Sequence, residues 1–244
     1  MSKVEQSTIT VGIGASAGGL EAFKDLLECL PVDTGLSFVI IQHLATGQES
    51  MLTDILSRFT KMPVQAVKDS MPVEADHVYV IPPGTTMTIE NSVLKLNPKG
   101  KSLKPIDTFF ISLAEDLKTQ AIGIVLSGTG DDGTQGLKAI KAQGGITFAQ
   151  TPASAQYADM PQNAISVDAA DFVLTPDEIA RELQGIAKNP QLAHKSLEAK
   201  EEAAAKKKAD NRITPDGHIF DAEIQFQRRF LTLQSNRCRS TRLT

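Results

Sequence analysis

Three apolar runs, each closing on a different polar residue, constrain this chain more than any other feature. Thr8-Ile9-Thr10-Val11-Gly12-Ile13-Gly14-Ala15 leads into Ser16, and Leu36-Ser37-Phe38-Val39-Ile40-Ile41-Gln42 leads into His43. Ala121-Ile122-Gly123-Ile124-Val125-Leu126-Ser127-Gly128-Thr129-Gly130 leads into Asp131-Asp132. Short β-branched runs between helical patterns read as parallel strands. Open α/β sheets bind ligands beyond the carboxyl ends of their strands. A Ser, a His and an Asp would then share one rim, and these are the groups that nucleophilic hydrolysis needs.

The segments between the runs support that fold. Leu20, Phe23, Leu27 and Leu30 recur at helical spacing until Pro31, and Met51, Leu52, Ile55, Leu56 and Phe59 mark a helix over 50–59. Val64-Gln65-Ala66-Val67 and His77-Val78-Tyr79-Val80-Ile81 are short strands, and residues 87–89 and 93–96 flank Glu90-Asn91-Ser92 as a hairpin. A helix over 106–118 precedes the third apolar run. Leu137, Ile140 and Ala142 mark another helix, stopped by Gly144-Gly145, before strands at 146–150 and 172–174. Thr175-Pro176-Asp177-Glu178 opens a last helix with a cap and a proline in its first turn. The expected fold is α/β: a doubly wound, mainly parallel sheet with an antiparallel hairpin, and a Ser-His-Asp site at the carboxyl ends of the strands.

Residues 8–188 read as one α/β domain, and 189–244 as a charged linker or tail, either disordered or a truncated continuation. The charge distribution follows this division. Residues 1–188 carry 14 Lys/Arg against 22 Asp/Glu, whereas 189–244 carry 11 against 7. An acidic body argues against a nucleic-acid surface, which needs a basic patch. No stretch approaches the roughly 20 apolar residues of a membrane span. Met1-Ser2-Lys3-Val4-Glu5-Gln6 lacks the apolar core of a signal peptide. Two cysteines, Cys29 inside an amphipathic helix and Cys238 in the polar tail, suit a reducing cytoplasm.

The first glycine-rich loop admits two readings. Gly12-x-Gly14-x-x-Ala17 resembles a dinucleotide fingerprint, and Gly14-x-Ser16-x-Gly18 resembles a nucleophile elbow. A dinucleotide site wants an acid at the end of the second strand; this chain has Gln42-His43. A serine nucleophile needs a base, and imidazole, titrating near ~6.5, can accept a proton while mostly neutral. His43 is the one histidine at a strand end, although by itself it could be an ordinary polar terminus. Asp131 and Asp132 offer an orienting carboxylate, with one of the two expected to cap a helix. Ala17, directly after Ser16 near the first helix start, is a natural oxyanion donor through its N–H, and the loop around Thr129 could supply a second. No His- or Cys-rich grouping suggests a metal site.

These segments together resemble the catalytic domain of the CheB-type chemotaxis protein-glutamate methylesterases over residues 9–187. The resemblance rests on Gly14-Ala15-Ser16-Ala17-Gly18-Gly19, Ile41-Gln42-His43, Leu126-Ser127-Gly128-Thr129-Gly130-Asp131-Asp132-Gly133 and Tyr157-Ala158-Asp159-Met160-Pro161-Gln162-Asn163-Ala164-Ile165. It implies a catalytic triad of Ser16, His43 and Asp132, with oxyanion and substrate-positioning roles at Ala17 and Thr129, no metal and no cofactor. It also implies a cytoplasmic enzyme that removes methyl esters from glutamates on the cytoplasmic helices of methyl-accepting chemoreceptors. Many members also deamidate glutamines. Ala17 stands where the family commonly has Thr, and Thr129 where it often has Met. Both substitutions resemble variants fused to a CheR-type methyltransferase module, which makes such a module a candidate partner. Many relatives carry an N-terminal receiver domain; residues 1–7 alone precede the first strand here, so phosphorylation control in cis is expected to be absent. Two other readings compete with the enzyme: a non-catalytic signalling or scaffold module of the same fold, and an esterase acting on another substrate.

Overall fold

The computed structural model describes residues 8–42, 51–98 and 104–189, all in the first of the chain's two units, 1–194 and 195–244. In chain order the elements are β1 (Thr10–Ala15), α1 (Gly19–Glu28), β2 (Ser37–Gln42), α2 (Leu52–Leu56), β3 (Val64–Ala66), β4 (Met71–Pro72), β5 (Val78–Val80) and β6 (Thr85–Glu90). They continue with β7 (Val93–Pro98), α3 (Pro105–Leu117), β8 (Ala121–Val125), α4 (Thr134–Ala142), β9 (Ile146–Gln150), α5 (Asp159–Ser166), β10 (Phe172–Leu174) and α6 (Pro176–Lys188). Seven strands form one sheet in the order β10-β9-β8-β1-β2-β5-β3, with every pair parallel. From β1 the chain first builds outward through β2, then returns to place β8 on the other side of β1. The winding therefore reverses between β1 and β8, the position at which open α/β sheets bind ligands, beyond the carboxyl ends of the strands.

Side chains alternate across a strand, and β1 uses this to bring a helix unusually close. Val11, Ile13 and Ala15 are fully buried on one face, the face of α1, where a Cβ on Gly19 would lie 2.6 Å from the Ala15 Cβ. The other face presents Gly12 and Gly14. A Cβ there would lie 2.8 Å from Phe110 Cε1 and 2.4 Å from Ile106 Cγ2, respectively. Both glycines therefore serve the seating of α3 on the sheet, which accounts for the half of the dinucleotide-like pattern they supply. Phe109, Phe110 and Leu113 of α3 join Leu137 and Ile140 of α4 and Val39, Ile41 and Val125 of the sheet in one buried core.

The expected hairpin is present, but β7 also pairs with β4, giving a separate three-stranded antiparallel sheet in the order β4-β7-β6. Its turn residues Asn91 and Ser92 both have positive φ (53° and 59°), as a tight two-residue hairpin turn requires. Asp116 of α3 accepts both of their N–H groups, at 2.7 and 2.9 Å, and Met87, Ile89 and Leu94 bury the sheet against that helix. The helix expected over 50–59 is limited to α2, followed by turns. Cys29 is the exposed C-cap of α1 rather than an interior helical residue, and Cys238 lies outside the described residues. Thr175 caps α6 with Glu178 in a capping box, as expected. Among the described residues no helix is long and apolar enough to cross a membrane.

Candidate active site

Ser16 follows the last residue of β1 and opens the turn into α1. Its N–H donates to the Ser127 carbonyl at 3.0 Å, just beyond β8, while its own carbonyl accepts the Gly19 N–H at 3.0 Å. Gly18 completes the turn at φ +71°, and a Cβ there would lie 2.7 Å from both Ser127 Oγ and Gln156 Oε1. The loop after β8 presses on the same turn: a Cβ on Gly128 would lie 3.0 Å from Ser16 Cβ and 2.1 Å from Met160 Sδ. Ser16 thus occupies the reversal point of the sheet, in a space kept open by two glycines.

The loop carrying Thr129 is fastened by polar bonds. Ser127 is buried; its N–H donates to Gln150 Oε1 at 2.8 Å, and its hydroxyl donates to the Ala17 carbonyl at 2.8 Å. The same hydroxyl accepts the Tyr157 N–H at 3.0 Å. Gly128 donates to the Tyr157 carbonyl at 2.9 Å and accepts the Met160 N–H at 3.0 Å. Among the described residues no protein acceptor engages the N–H of Ala17 or of Thr129. Ala17 is half-buried and Thr129 exposed. An unused N–H directly after a serine at a helix start is suited to a developing negative charge.

The two adjacent aspartates divide their tasks differently from the sequence expectation. Asp132, 4% exposed, is itself the capping residue, and the helix it caps is α3 rather than the α4 that follows it. Its Oδ1 accepts the N–H groups of Asp107 and Gly133, each at 2.9 Å, and its Oδ2 accepts that of Ile106 at 3.1 Å. Asp107 returns the contact: its Oδ1 accepts the Gly136 N–H of α4 at 2.8 Å. Asp131 is exposed and pairs with Lys104 at 2.7 Å.

The charges respond to these surroundings. Burial pushes the Asp107 carboxyl above the usual carboxylate range, opposed by the Gly136 N–H and reinforced by the Asp132 charge. The Lys104 ammonium holds Asp131 below that range, and Asp131 in turn raises Lys104. Sequence reading missed Asp107. Its signal was an acid two residues after Pro105, where a helix first turn favours negative charge.

Ile106 joins the two halves of the site. Its side chain packs over Gly14 and Gly133, while its N–H lies on Asp132. The structure therefore places Ser16, Ala17, Thr129 and Asp132 in the two loops that follow the central strands β1 and β8. His43 lies outside the described residues. It follows Gln42, the last residue of β2, which is in register with Ala15. Among the described residues no group of three or more His, Cys, Asp or Glu side chains could hold a metal ion.

The fold is thus a doubly wound α/β sheet with a serine turn at its reversal point. The CheB methylesterase family model covers residues 11–183, and the chain belongs to that family. It is 44% identical over 130 residues to an "Uncharacterized 104.1 kDa protein in hypE 3'region" of Rhodobacter capsulatus, covering 52% of this chain and 14% of that protein. It is 35% identical over 184 residues to "Protein-glutamate methylesterase/protein-glutamine glutaminase 3" of Burkholderia orbicola, covering 71% of this chain and 52% of that one. The chain thus spans about half the length of the second relative and a small part of the first. The crystal structure of the Thermotoga maritima CheB methylesterase catalytic domain superposes with a TM-score of 0.69 at 26% identity, covering 74% of this chain and 99% of that one.

Proposed function

We propose that this protein hydrolyses glutamate γ-methyl esters on the cytoplasmic helices of chemoreceptors through a serine acyl-enzyme, and deamidates glutamines at related sites. The observation that carries this reading is the position of Ser16 at the β1–β8 reversal of the sheet, bonded to the loop after β8 through Ser127 and followed directly by Ala17, whose N–H meets no protein acceptor among the described residues. Family membership and the name of the Burkholderia relative support the substrate class. In this reading Ser16 attacks the γ-carbonyl while His43 takes its proton. The Ala17 and Thr129 N–H groups hold the oxyanion. His43 then protonates the departing methanol and next activates the water that releases glutamate. Asp132 holds the imidazole tautomer and stabilises the imidazolium. For deamidation, ammonia leaves in place of methanol. The reaction would take place in the cytoplasm, where receptor helices are accessible, and needs no cofactor.

The test is methanol release from a methylated chemoreceptor cytoplasmic domain. Wild type releases methanol, and Ser16→Ala reduces turnover by about 10⁴–10⁶-fold. Equal release by the two proteins would refute the proposal. Turnover of simple acyl esters without any on receptor would instead support a small-molecule esterase.

A further inference from the structure

Ser127 does more for the serine turn than the neighbouring strand end requires. The Ala17 N–H belongs to the peptide between Ser16 and Ala17. The peptide before it is held where the Ser16 N–H meets the Ser127 carbonyl at 3.0 Å. The peptide after it is held where the Ala17 carbonyl accepts from Ser127 Oγ at 2.8 Å. One residue therefore grips both neighbours of the peptide that would face the oxyanion, once through its main chain and once through its side chain. The hydroxyl is itself fixed, because it accepts the Tyr157 N–H at 3.0 Å. Ser127 as a whole is anchored by Gln150 Oε1, which takes its N–H at 2.8 Å and whose own amide group donates to the Ser154 carbonyl at 3.0 Å. Ser127 is 1% exposed, so water does not compete for these bonds.

From this double grip we infer that Ser127 is a positioning residue for the reaction: its hydroxyl sets the orientation of the Ala17 N–H toward the oxyanion. The inference rests on Ser16 being the nucleophile. An oxyanion donor works only when already aimed at where the charge develops, and removing one outright costs on the order of 10²–10³ in kcat. A donor left in place but loosened loses part of that. Peptide 17–18 cannot rotate while Ser127 Oγ holds its carbonyl, and rotation there would turn the Ala17 backbone. The hydroxyl also explains why residue 18 must be glycine, since a Cβ would collide with it.

The experiment compares Ser127→Ala, Ser127→Thr and Ser127→Val in the full chain. Each is measured by methanol release from methylated chemoreceptor cytoplasmic domain and by the rate of labelling with a fluorophosphonate probe. Ser127→Ala should lower kcat about 10–100-fold, with KM within about threefold and the labelling rate falling in parallel. Ser127→Thr keeps the hydroxyl and should retain at least a third of kcat, whereas Ser127→Val, of the same shape, should fall with alanine. Thr147→Val removes another buried hydroxyl, which donates to Asp171 at 2.7 Å on β9; it should lower stability while leaving kcat unchanged. Ser127→Ala with kcat within twofold of wild type, or Thr and Val falling equally, overturns the inference. So does failure of Ser127→Ala to fold, because that would make the hydroxyl a determinant of the fold. Wild type that neither releases methanol nor takes label defeats the reading of Ser16 instead.

Discussion

The two loops that follow β1 and β8 lie at the same reversal of the sheet but are held there by different physics. The turn at Ser16 is fixed by neutral groups: main-chain N–H and carbonyl bonds, the Ser127 hydroxyl and two glycines that admit close approach. The segment around Asp132 is fixed by charge. Asp132 caps α3, Asp107 caps α4, and Asp131 pairs with Lys104. Neutral bonds carry no titration, whereas carboxylates at helix ends respond to pH and, where exposed, to salt. Ser16 thus sits where uncharged bonds hold the chain, and Asp132 where carboxylates cement helix ends.

Removing each functional side chain should separate the two regions most clearly. Ser16→Ala should abolish turnover while leaving the unfolding free energy within about 0.5 kcal/mol of wild type, since no described bond uses its hydroxyl. Asp132→Ala should lose about 10⁴ in turnover and also about 2–4 kcal/mol of stability, because three buried N–H groups lose their acceptor. Asp132→Asn keeps an acceptor and should recover part of the stability but not the activity. Urea unfolding beside the methanol assay reads both effects; equal stability losses for Ser16→Ala and Asp132→Ala would erase the contrast.

Gly14→Ala tests the bridge between the regions. Its Cβ would lie 2.4 Å from Ile106 Cγ2, so Ile106 must shift, at a cost of about 1–3 kcal/mol. Ile106 also donates to Asp132, so activity should fall further than the stability loss alone explains. Full activity in a folded Gly14→Ala would show that the two loops are independent.

The pH dependence of Asp107 and Asp131 has opposite signs. Asp107 is raised in the folded state, so between the ordinary and the raised value the folded chain holds more protons. Its contribution is therefore lost as pH rises through that window. Asp131 is lowered, so its contribution is present above the ordinary value and lost as pH falls through the lowered one. Asp107→Asn should flatten the first slope in urea titrations across acidic pH, and Lys104→Ala the second. Lys104→Ala is the smallest effect expected, under about 1 kcal/mol and shrinking in 1 M salt.

Periodicity and strand composition showed where the parallel sheet runs, because buried parallel strands announce themselves as unbroken apolar runs. A doubly wound sheet with Ser16 at a strand's carboxyl end followed from those runs together with alternating helices, whereas the reversal between β1 and β8 is visible only in the strand order. Other features depended on partners distant in sequence. β4 is only two residues long and gains its identity by pairing with β7. The packing role of Gly12 and Gly14 needs Phe110 and Ile106, almost a hundred residues later. Asp132 resembles a cap for the helix that follows it, yet it caps α3, which precedes it by a strand. Asp107 gave only the weak signal of a first-turn acid, since its significance is the exchange of caps with the 131–136 segment.

Labelling with a serine-directed fluorophosphonate probe, followed by peptide mapping, tests the central claim most directly. The account predicts one covalent adduct, on Ser16 of the folded protein, absent from Ser16→Ala and lost on prior unfolding. Folded protein that takes no label, or a label that persists in Ser16→Ala, would contradict it.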